Sequence, residues 1–357
     1  MDLFIFLRLF GGLALFLYGM SVMGGSLEKA AQGRLEAMLE RLTGSVGRAV
    51  LFGAAVTAVI HSSSAATVLV VGLVGAGVLR LRQAIGIIMG ANIGTTVTAH
   101  ILRLTAVSGD SLALRLLQSS SLTPAVAILG ILLFLFAKKD ALRDVGQMLL
   151  GFGIIFTGMM QMEEAVRPLA QLPAFGRMFA AMKNPLVGVL VGAVVTAVIQ
   201  SSTASVGILQ AISSTGAIPC SAAVPLILGQ NIGTCVTPIF AGIGASRNAK
   251  RASVVNLIFN VLGALLFLAG MYAVHAVRPF PFWNDPIDSG GIADFHTLFN
   301  VAATVLFLPF TGLLERLAYV LIPLSREEGG GRAPDAPGER AIRRRPKAKP
   351  SRPRAGG

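Results

Sequence analysis

Residues 57–67, TAVIHSSSAAT, place three consecutive serines in the middle of a long apolar segment. The surrounding block, residues 46–79, is mostly apolar, and its polar break falls near its centre. One membrane crossing needs about 20 apolar residues, so this block is too short for two crossings joined by a turn. We therefore predict a re-entrant helical hairpin whose turn lies near the membrane midplane. Irregular backbone at that depth must face protein or a water-filled cavity.

The same pattern occurs a second time, 139 residues further along the chain. GAAVTAVIHSSSA at 53–65 aligns with GAVVTAVIQSSTA at 192–204. Without a gap, GANIGTTVT at 90–98 aligns with GQNIGTCVT at 229–237. Self-similarity at a fixed period indicates an internal repeat. The predicted domains are repeat 1 at 1–139, repeat 2 at 140–279, a loop with one extra C-terminal transmembrane helix at 280–325, and a tail at 326–357.

The composition predicts an all-α polytopic membrane protein. Of 357 residues, 54% are hydrophobic and only 13% are charged, whereas soluble domains carry about 25% charged residues. The first apolar segment has a counterpart inside the chain, because LFLYGM at 15–20 aligns with IIFTGM at 154–159. It is therefore predicted to be structure and not a cleaved signal peptide. Full spans are predicted at 3–24, 83–108, 112–137, 145–162, 222–245, 252–277 and 292–324.

Each repeat is predicted to hold a span, a re-entrant hairpin, a span interrupted by GANIGTTVT or GQNIGTCVT, and a further span. A hairpin returns to its own side, so each repeat crosses the membrane three times and the second copy must be inverted. Residues 79–82 carry two arginines and their counterparts at 218–221 carry none, which favours an N-terminus outside and a C-terminus in the cytoplasm. Against this, residues 163–185 would lie outside and yet hold three basic residues. The expected location is the bacterial inner membrane.

Much of the net charge of +13 lies in the C-terminal tail, residues 326–357. This tail is rich in proline, glycine and arginine and nearly lacks apolar residues, so it is predicted to be disordered and cytoplasmic. A basic tail of this kind is more typical of a segment beside anionic lipid headgroups than of a nucleic-acid-binding segment. We expect the lipid bilayer as a partner and no nucleic acid, and the sequence leaves a homo-oligomer open.

Inverted repeats with broken elements are the architecture of secondary transporters, whose site lies between the repeats. The two hairpin turns and the two interrupted spans would meet there. The polar side chains they deliver are Ser62, Ser63, Ser64, Asn92, Thr95 and Thr96 from the first copy, and Gln200, Ser201, Ser202, Thr203, Gln230, Asn231 and Thr234 from the second. These residues could instead join helices by interhelical hydrogen bonds. That explanation fits scattered residues such as Thr57 better than two matching clusters.

The residue types narrow the class of ligand. No aspartate or glutamate occurs at residues 42–109 or 165–284, which disfavours a divalent-cation site and a proton relay through carboxylates. Uncharged hydroxyl, amide and carbonyl oxygens suit a monovalent cation such as sodium. Helix N-termini carry about half a positive charge each and bind anions. The residues therefore predict a small oxyanion accompanied by sodium, with no cofactor besides sodium as coupling ion.

The segments HSSSAAT at 61–67 and QSSTAS at 200–205, each followed by its NIGT segment, resemble the paired signature motifs of the sodium/phosphate cotransporter family, the type II group and its bacterial relatives. The resemblance covers nearly the whole chain up to about residue 325. It implies sodium-coupled movement of phosphate by alternating access. It also implies phosphate or sodium contacts from Ser62, Ser63, Ser64, Gln200, Ser201, Ser202 and Thr203, with Asn92, Thr95, Asn231 and Thr234 completing the pocket.

One residue departs from the family pattern, since the first motif usually begins with glutamine and here begins with His61. An imidazole can donate a hydrogen bond to phosphate, and it adds a group that titrates near neutral pH. The remaining histidines, His100, His275 and His296, are assigned no role. Three alternatives stay open: a transporter of another oxyanion or a phosphate exporter, an anion channel with the same lining, and an intramembrane serine hydrolase using His61 and Ser62. The last is disfavoured because no acid lies nearby to orient the histidine, so we predict that the protein is not an enzyme.

Overall fold

The computed structural model describes residues 3–31, 45–106, 118–172, 177 and 184–323. Within these ranges the chain is helical, apart from loops and one isolated β-bridge between Pro219 and Pro286. The predicted tail at 326–357 lies outside the described residues. The helices are α1 (Leu3–Ala31), α2 (Val46–Ile60), α3 (Ser63–Gly75), α4 (Leu81–Leu102), α5 (Ser119–Phe136), α6 (Asp140–Val166), α7 (Pro185–Ile199), α8 (Ser202–Ser213), α9 (Cys220–Thr234), α10 (Val236–Gly242), α11 (Arg247–Val277), α12 (Ser289–Phe307) and α13 (Thr311–Leu321).

Among the described residues, six helical segments are long and apolar enough to cross a membrane. This confirms the predicted all-α integral membrane protein. The seventh predicted span, at 112–137, begins in residues that the structure does not describe, and its helix α5 is not among the six. The six segments are Leu3–Lys29, Leu81–Leu102, Asp140–Leu169, Cys220–Gly242, Arg247–Val277 and Ser289–Leu321.

The helix limits recur with the sequence repeat. Adding 139 to the limits of α2 gives those of α7, and α3 and α4 begin 139 residues before α8 and α9. Local sequence accounts for these limits. The side chain of Ser45 caps α2 by accepting from Arg48 N at 3.4 Å, and Asn184 caps α7 by accepting from Leu186 N at 3.0 Å, where Pro185 fills the first helical position.

The predicted interruption is wrong for the first span and is limited to one residue in the second. Helix α4 runs unbroken through GANIGTTVT, and in the second copy only Cys235 separates α9 from α10. The glycines serve close helix packing. A Cβ added at Gly90 would collide with the carbonyl oxygen of Val50, and one at Gly229 with that of Val189. Glycine therefore lets α2 lie directly on α4, and α7 on α9, without breaking the helix that holds it.

The centre of the molecule is formed by α4 and by α9 with α10. In the membrane-spanning part of α4, 78% of the residues are buried, compared with 17% in that of α1 at the periphery. The helices α11 and α12 also pack against α4. The polar residues of the two NIGT segments therefore lie in the interior, and the hairpin α2–α3 and its counterpart α7–α8 pack against these central helices.

Candidate functional site

Each hairpin turns at a single residue in a left-handed backbone conformation. His61 has φ 58° and ψ 23°, and Gln200 has φ 57° and ψ 23°. Among the described residues these are the only non-glycine positions with positive φ. This conformation costs an L-residue about 1–2 kcal/mol, so the same strain is held at matching places in both copies. It ends α2 and α7 abruptly and lets the next helix begin after one further residue.

A serine then caps the second helix of each hairpin. The Oγ of Ser62 accepts from Ala65 N at 3.2 Å, and the Oγ of Ser201 accepts from Ala204 N at 3.2 Å. The first amide N–H groups of α3 and α8 have no acceptor within their helix. Each N-terminus also carries about half a positive charge. The hairpins thus present two partly positive, hydrogen-bond-donating helix ends, flanked by hydroxyl groups.

The serines that follow the caps are buried, and their hydroxyls are free to bind a ligand. Ser63 is 7% exposed and Ser202 is 6% exposed. Neither hydroxyl makes a hydrogen bond to another described residue. Thr203, beside Ser202, is equally buried, and Ser64 is half-buried. A hydroxyl without a protein partner in a largely buried residue is free to bind a ligand or water.

The polar side chains of α4 and α9 present oxygen atoms. Asn92 donates its Nδ2 to Ile88 O at 2.9 Å, and Asn231 donates to Ile227 O at 2.8 Å. Thr95 and Thr234 likewise donate their hydroxyls to the carbonyl oxygens four residues earlier, at 3.0 and 2.9 Å. Because these bonds use only N–H and O–H groups, the amide and hydroxyl oxygens remain as acceptors. Such uncharged oxygens can coordinate a monovalent cation.

The two copies of the repeat contact each other through two matching pairs of helices. Helix α8 packs against α4, and Gln210 donates its Nε2 to Ala99 O at 3.0 Å. In the matching contact α3 packs against α10. Between α4 and α8 lies a narrow gap with no room for a water molecule. It is lined by Thr95, Ala99 and Leu102 of α4, Thr203 and Val206 of α8, and His296 of α12.

The structure separates the predicted site residues into groups. Thr95 and Thr203 line the same gap. Asn92 and Asn231 have different partners, since Asn92 Nδ2 lies 3.5 Å from Asn256 Oδ1 and Asn231 Oδ1 lies 3.3 Å from His296 Nε2. Two other predicted side chains form hydrogen bonds within the protein, and a third is exposed. Thr96 donates to Ile93 O at 2.8 Å, Gln230 donates to Ser205 O at 3.0 Å, and Gln200 is exposed.

The two turns differ in the side chain of the turn residue. His61 Nδ1 lies 2.8 Å from the hydroxyl of Thr98, so the imidazole is tied to α4. In the second copy the counterpart of Thr98 is Thr237, whose buried hydroxyl has no hydrogen-bond partner in the described structure. The substitution of histidine for glutamine therefore gives the first hairpin a side-chain contact that the second lacks.

Two residues close to the predicted site were missed in the sequence. Asn256 and His296 are 3% and 1% exposed and contact Asn92 and Asn231. The available signal was a pair of polar residues four apart in an apolar span, NLIFN at 256–260 and HTLFN at 296–300. Residues at that spacing share one helix face. A buried polar stripe on α11 and α12 could have been predicted from it.

Comparison with known proteins identifies the family. The model of the Na+/Pi-cotransporter family matches residues 15–164 and, a second time, residues 158–278. The chain is 33% identical over 309 residues to "Uncharacterized protein YqeW" of Bacillus subtilis, covering 86% of this chain and 95% of that protein. No solved structure matches the chain.

Two further relatives carry functional names. The chain is 26% identical over 320 residues to "Putative inorganic phosphate export protein YjbB" of Salmonella typhimurium, covering 88% of this chain and 55% of that protein. It is 32% identical over 130 residues to "Sodium-dependent phosphate transport protein 2A" of Rattus norvegicus, covering 34% of this chain and 20% of that protein. The family is one of transporters and not of enzymes. The chain belongs to the Na+/Pi-cotransporter family.

Proposed function

We propose that the protein moves inorganic phosphate together with sodium across the bacterial inner membrane by alternating access. The observation that carries this proposal is the pair of matching hairpin turns. Each holds a strained left-handed residue, a serine cap and the positive start of a buried helix, next to a central helix with uncharged polar oxygens. The name of the rat relative supports phosphate and sodium as the transported ions.

An inverted arrangement of the two copies is supported by the packing of α1 on α6. Gly12 lies against the backbone of Gly158, and Gly19 lies against that of Gly151. Since Gly151 and Gly158 are the counterparts of Gly12 and Gly19, exchanging the two copies maps one contact onto the other. This is the signature of a two-fold axis. With an odd number of crossings in each copy, that axis would lie in the membrane plane, with the N-terminus outside and the C-terminus in the cytoplasm.

Helix lengths support the re-entrant hairpins. At about 1.5 Å per residue, α2 with 15 residues spans about 22 Å and α3 with 13 residues about 20 Å. Helices α7 and α8 have 15 and 12 residues. All four are shorter than the hydrocarbon core of about 30 Å. Each hairpin can therefore enter from one side and turn inside the membrane.

Different groups in the site suit phosphate and sodium. A tetrahedral oxyanion needs many donors, and the N-termini of α3 and α8 supply amide N–H groups beside serine hydroxyls. Sodium needs oxygen ligands, and α4 and α9 supply amide and hydroxyl oxygens. The proposed binding set is Ser62, Ser63, Ser64, Asn92, Thr95, Thr96, Gln200, Ser201, Ser202, Thr203, Asn231 and Thr234, with His61 as a pH-sensitive contact. Sodium is the coupling ion, and no other cofactor is required.

Phosphate export is the second candidate function, because the Salmonella relative is named for export. Import and export use the same residues, and the direction follows the gradients. The narrow gap between α4 and α8 favours alternating access over a permanently open anion channel, since a conducting path would need to be wider. Opening on each side in turn would expose Thr95 and Thr203 to the solution.

Uptake of labelled phosphate into proteoliposomes tests the proposal. We expect uptake with an inward sodium gradient and little uptake when choline replaces sodium. Equal uptake in both would contradict the sodium coupling. No uptake in either orientation of the gradient would contradict phosphate transport itself. Sulfate and arsenate as competitors test whether another oxyanion is the better substrate.

A further inference from the structure

Helix α12 lies outside the repeat and yet contributes one ring to the gap between the two copies. His296 of α12 is 1% exposed and lines the gap together with Thr95 of the first copy and Thr203 of the second. Neither copy of the repeat supplies a counterpart of this ring. The site between the repeats is therefore asymmetric in its side chains, even where the backbone is symmetric.

The hydrogen bonds around His296 determine which nitrogen carries the proton. Asn231 donates its Nδ2 to Ile227 O at 2.8 Å, so the atom that faces the imidazole is the acceptor Oδ1. His296 Nε2 must then be the donor across 3.3 Å. In a neutral imidazole the other nitrogen, Nδ1, is an acceptor.

This acceptor is unsatisfied. His296 Nδ1 is buried and has no hydrogen-bond partner among the described residues. Thr95, across the gap, already donates its hydroxyl to Ala91 O at 3.0 Å. A buried polar atom without a partner costs free energy, and in native proteins such atoms usually have a ligand, ion or water as partner. What the ring lacks is a hydrogen-bond donor.

We propose that His296 accepts a hydrogen bond from the protonated oxygen of the transported anion and so selects hydrogen phosphate over oxyanions that carry no proton. This inference rests on the proposed phosphate transport. Near neutral pH inorganic phosphate and arsenate keep at least one O–H group, whereas sulfate and fluorophosphate keep none. Thr203 and the start of α8 donate to the unprotonated oxygens, and His296 requires the one oxygen that can donate. A site with only donors could not distinguish these tetrahedral ions by protonation.

Competition in proteoliposomes tests this without any substitution. Sodium-driven uptake of labelled phosphate is measured in the wild-type protein at neutral pH, with arsenate, fluorophosphate or sulfate as competitor. We expect fluorophosphate and sulfate to compete at least about tenfold more weakly than arsenate, because each leaves the imidazole acceptor unpaired. Equal competition by arsenate and fluorophosphate would overturn the proposal. Absence of phosphate uptake would contradict the proposed function, and this inference with it.

Substitutions identify the residue responsible. His296→Phe keeps a ring of similar size and removes the acceptor, so the preference for arsenate over fluorophosphate should fall to within about twofold. His296→Gln retains one acceptor and one donor and should recover part of that preference. His275→Gln is the matched control, because His275 Nδ1 already accepts from Phe280 N at 3.0 Å, outside the site. Unchanged discrimination in an actively transporting His296→Phe protein would contradict the role of the ring, and if that variant fails to insert, the wild-type competition alone decides.

Discussion

Removing the hydroxyl of Ser202 should weaken phosphate binding without weakening the fold. Ser202 is 6% exposed, lies in the first turn of α8 and makes no hydrogen bond to another described residue. Replacement by alanine therefore breaks no contact that stabilises the protein. If the hydroxyl donates to phosphate, its loss costs about 1.5–3 kcal/mol of binding, the usual value for a hydrogen bond to a charged group. That corresponds to a roughly 10- to 150-fold rise in KM.

The neighbouring serine gives a contrasting variant. Ser201 caps α8 through Ala204 N at 3.2 Å, so Ser201→Ala should lower the stability of the fold by about 1 kcal/mol. Ser202→Ala should leave thermal unfolding in detergent unchanged. Ser214→Ala removes a hydroxyl at the far end of α8, where it donates to Ala211 O at 2.7 Å, and is the control for transport.

The assay is sodium-driven uptake of labelled phosphate, with rates normalised to the amount of inserted protein. We expect a raised KM for Ser202→Ala and a wild-type KM for Ser214→Ala. Ser63→Ala, in the first hairpin, should behave as Ser202→Ala does. A wild-type KM in both hairpin variants would mean that these serines only join helices, and the assignment of the hairpin turns to the binding site would be refuted.

Two further predictions concern the first hairpin. His61→Gln restores the residue found in the second copy, so transport should persist while the part of its pH dependence that the imidazole contributes is lost; an unchanged profile would show that the imidazole takes no part. Gly90→Ala places a methyl group against the carbonyl oxygen of Val50 and should destabilise the protein by about 1–3 kcal/mol, measured as thermal unfolding in detergent. The control is Gly25→Ala, where an added Cβ has open space, and equal stability of the two variants would contradict close packing of α2 on α4.

Sequence patterns predicted the hairpins because an apolar block with a polar centre has few other solutions in a membrane. The block at 46–79 contains two short helices, and the turn falls at His61 and Ser62. The repeat then predicted the second turn, at Gln200 and Ser201. The length and the polarity of the segments were sufficient, since both can be read directly from the sequence.

The continuity of α4 could not be predicted in the same way. Glycine serves both to break a helix and to let another helix approach closely, and a sequence does not distinguish these uses. Only the position of the Val50 carbonyl against Gly90 shows that close packing is the reason here. His296 was missed for a related cause. The HTLFN pair at 296–300 marks a polar stripe, but only the fold shows that its partner is Asn231, 3.3 Å from the ring.

The central claim is that the two copies form one transport site between α4 and α8, and a cross-link tests it most directly. Thr95→Cys and Thr203→Cys would be introduced together after Cys220 and Cys235 are replaced by alanine. Since both threonines line a gap too narrow for water, we expect oxidation to join the two cysteines, phosphate with sodium to slow that reaction, and the cross-link to stop transport until a reductant is added. Failure of the cysteines to join, or full transport by the cross-linked protein, would contradict the account.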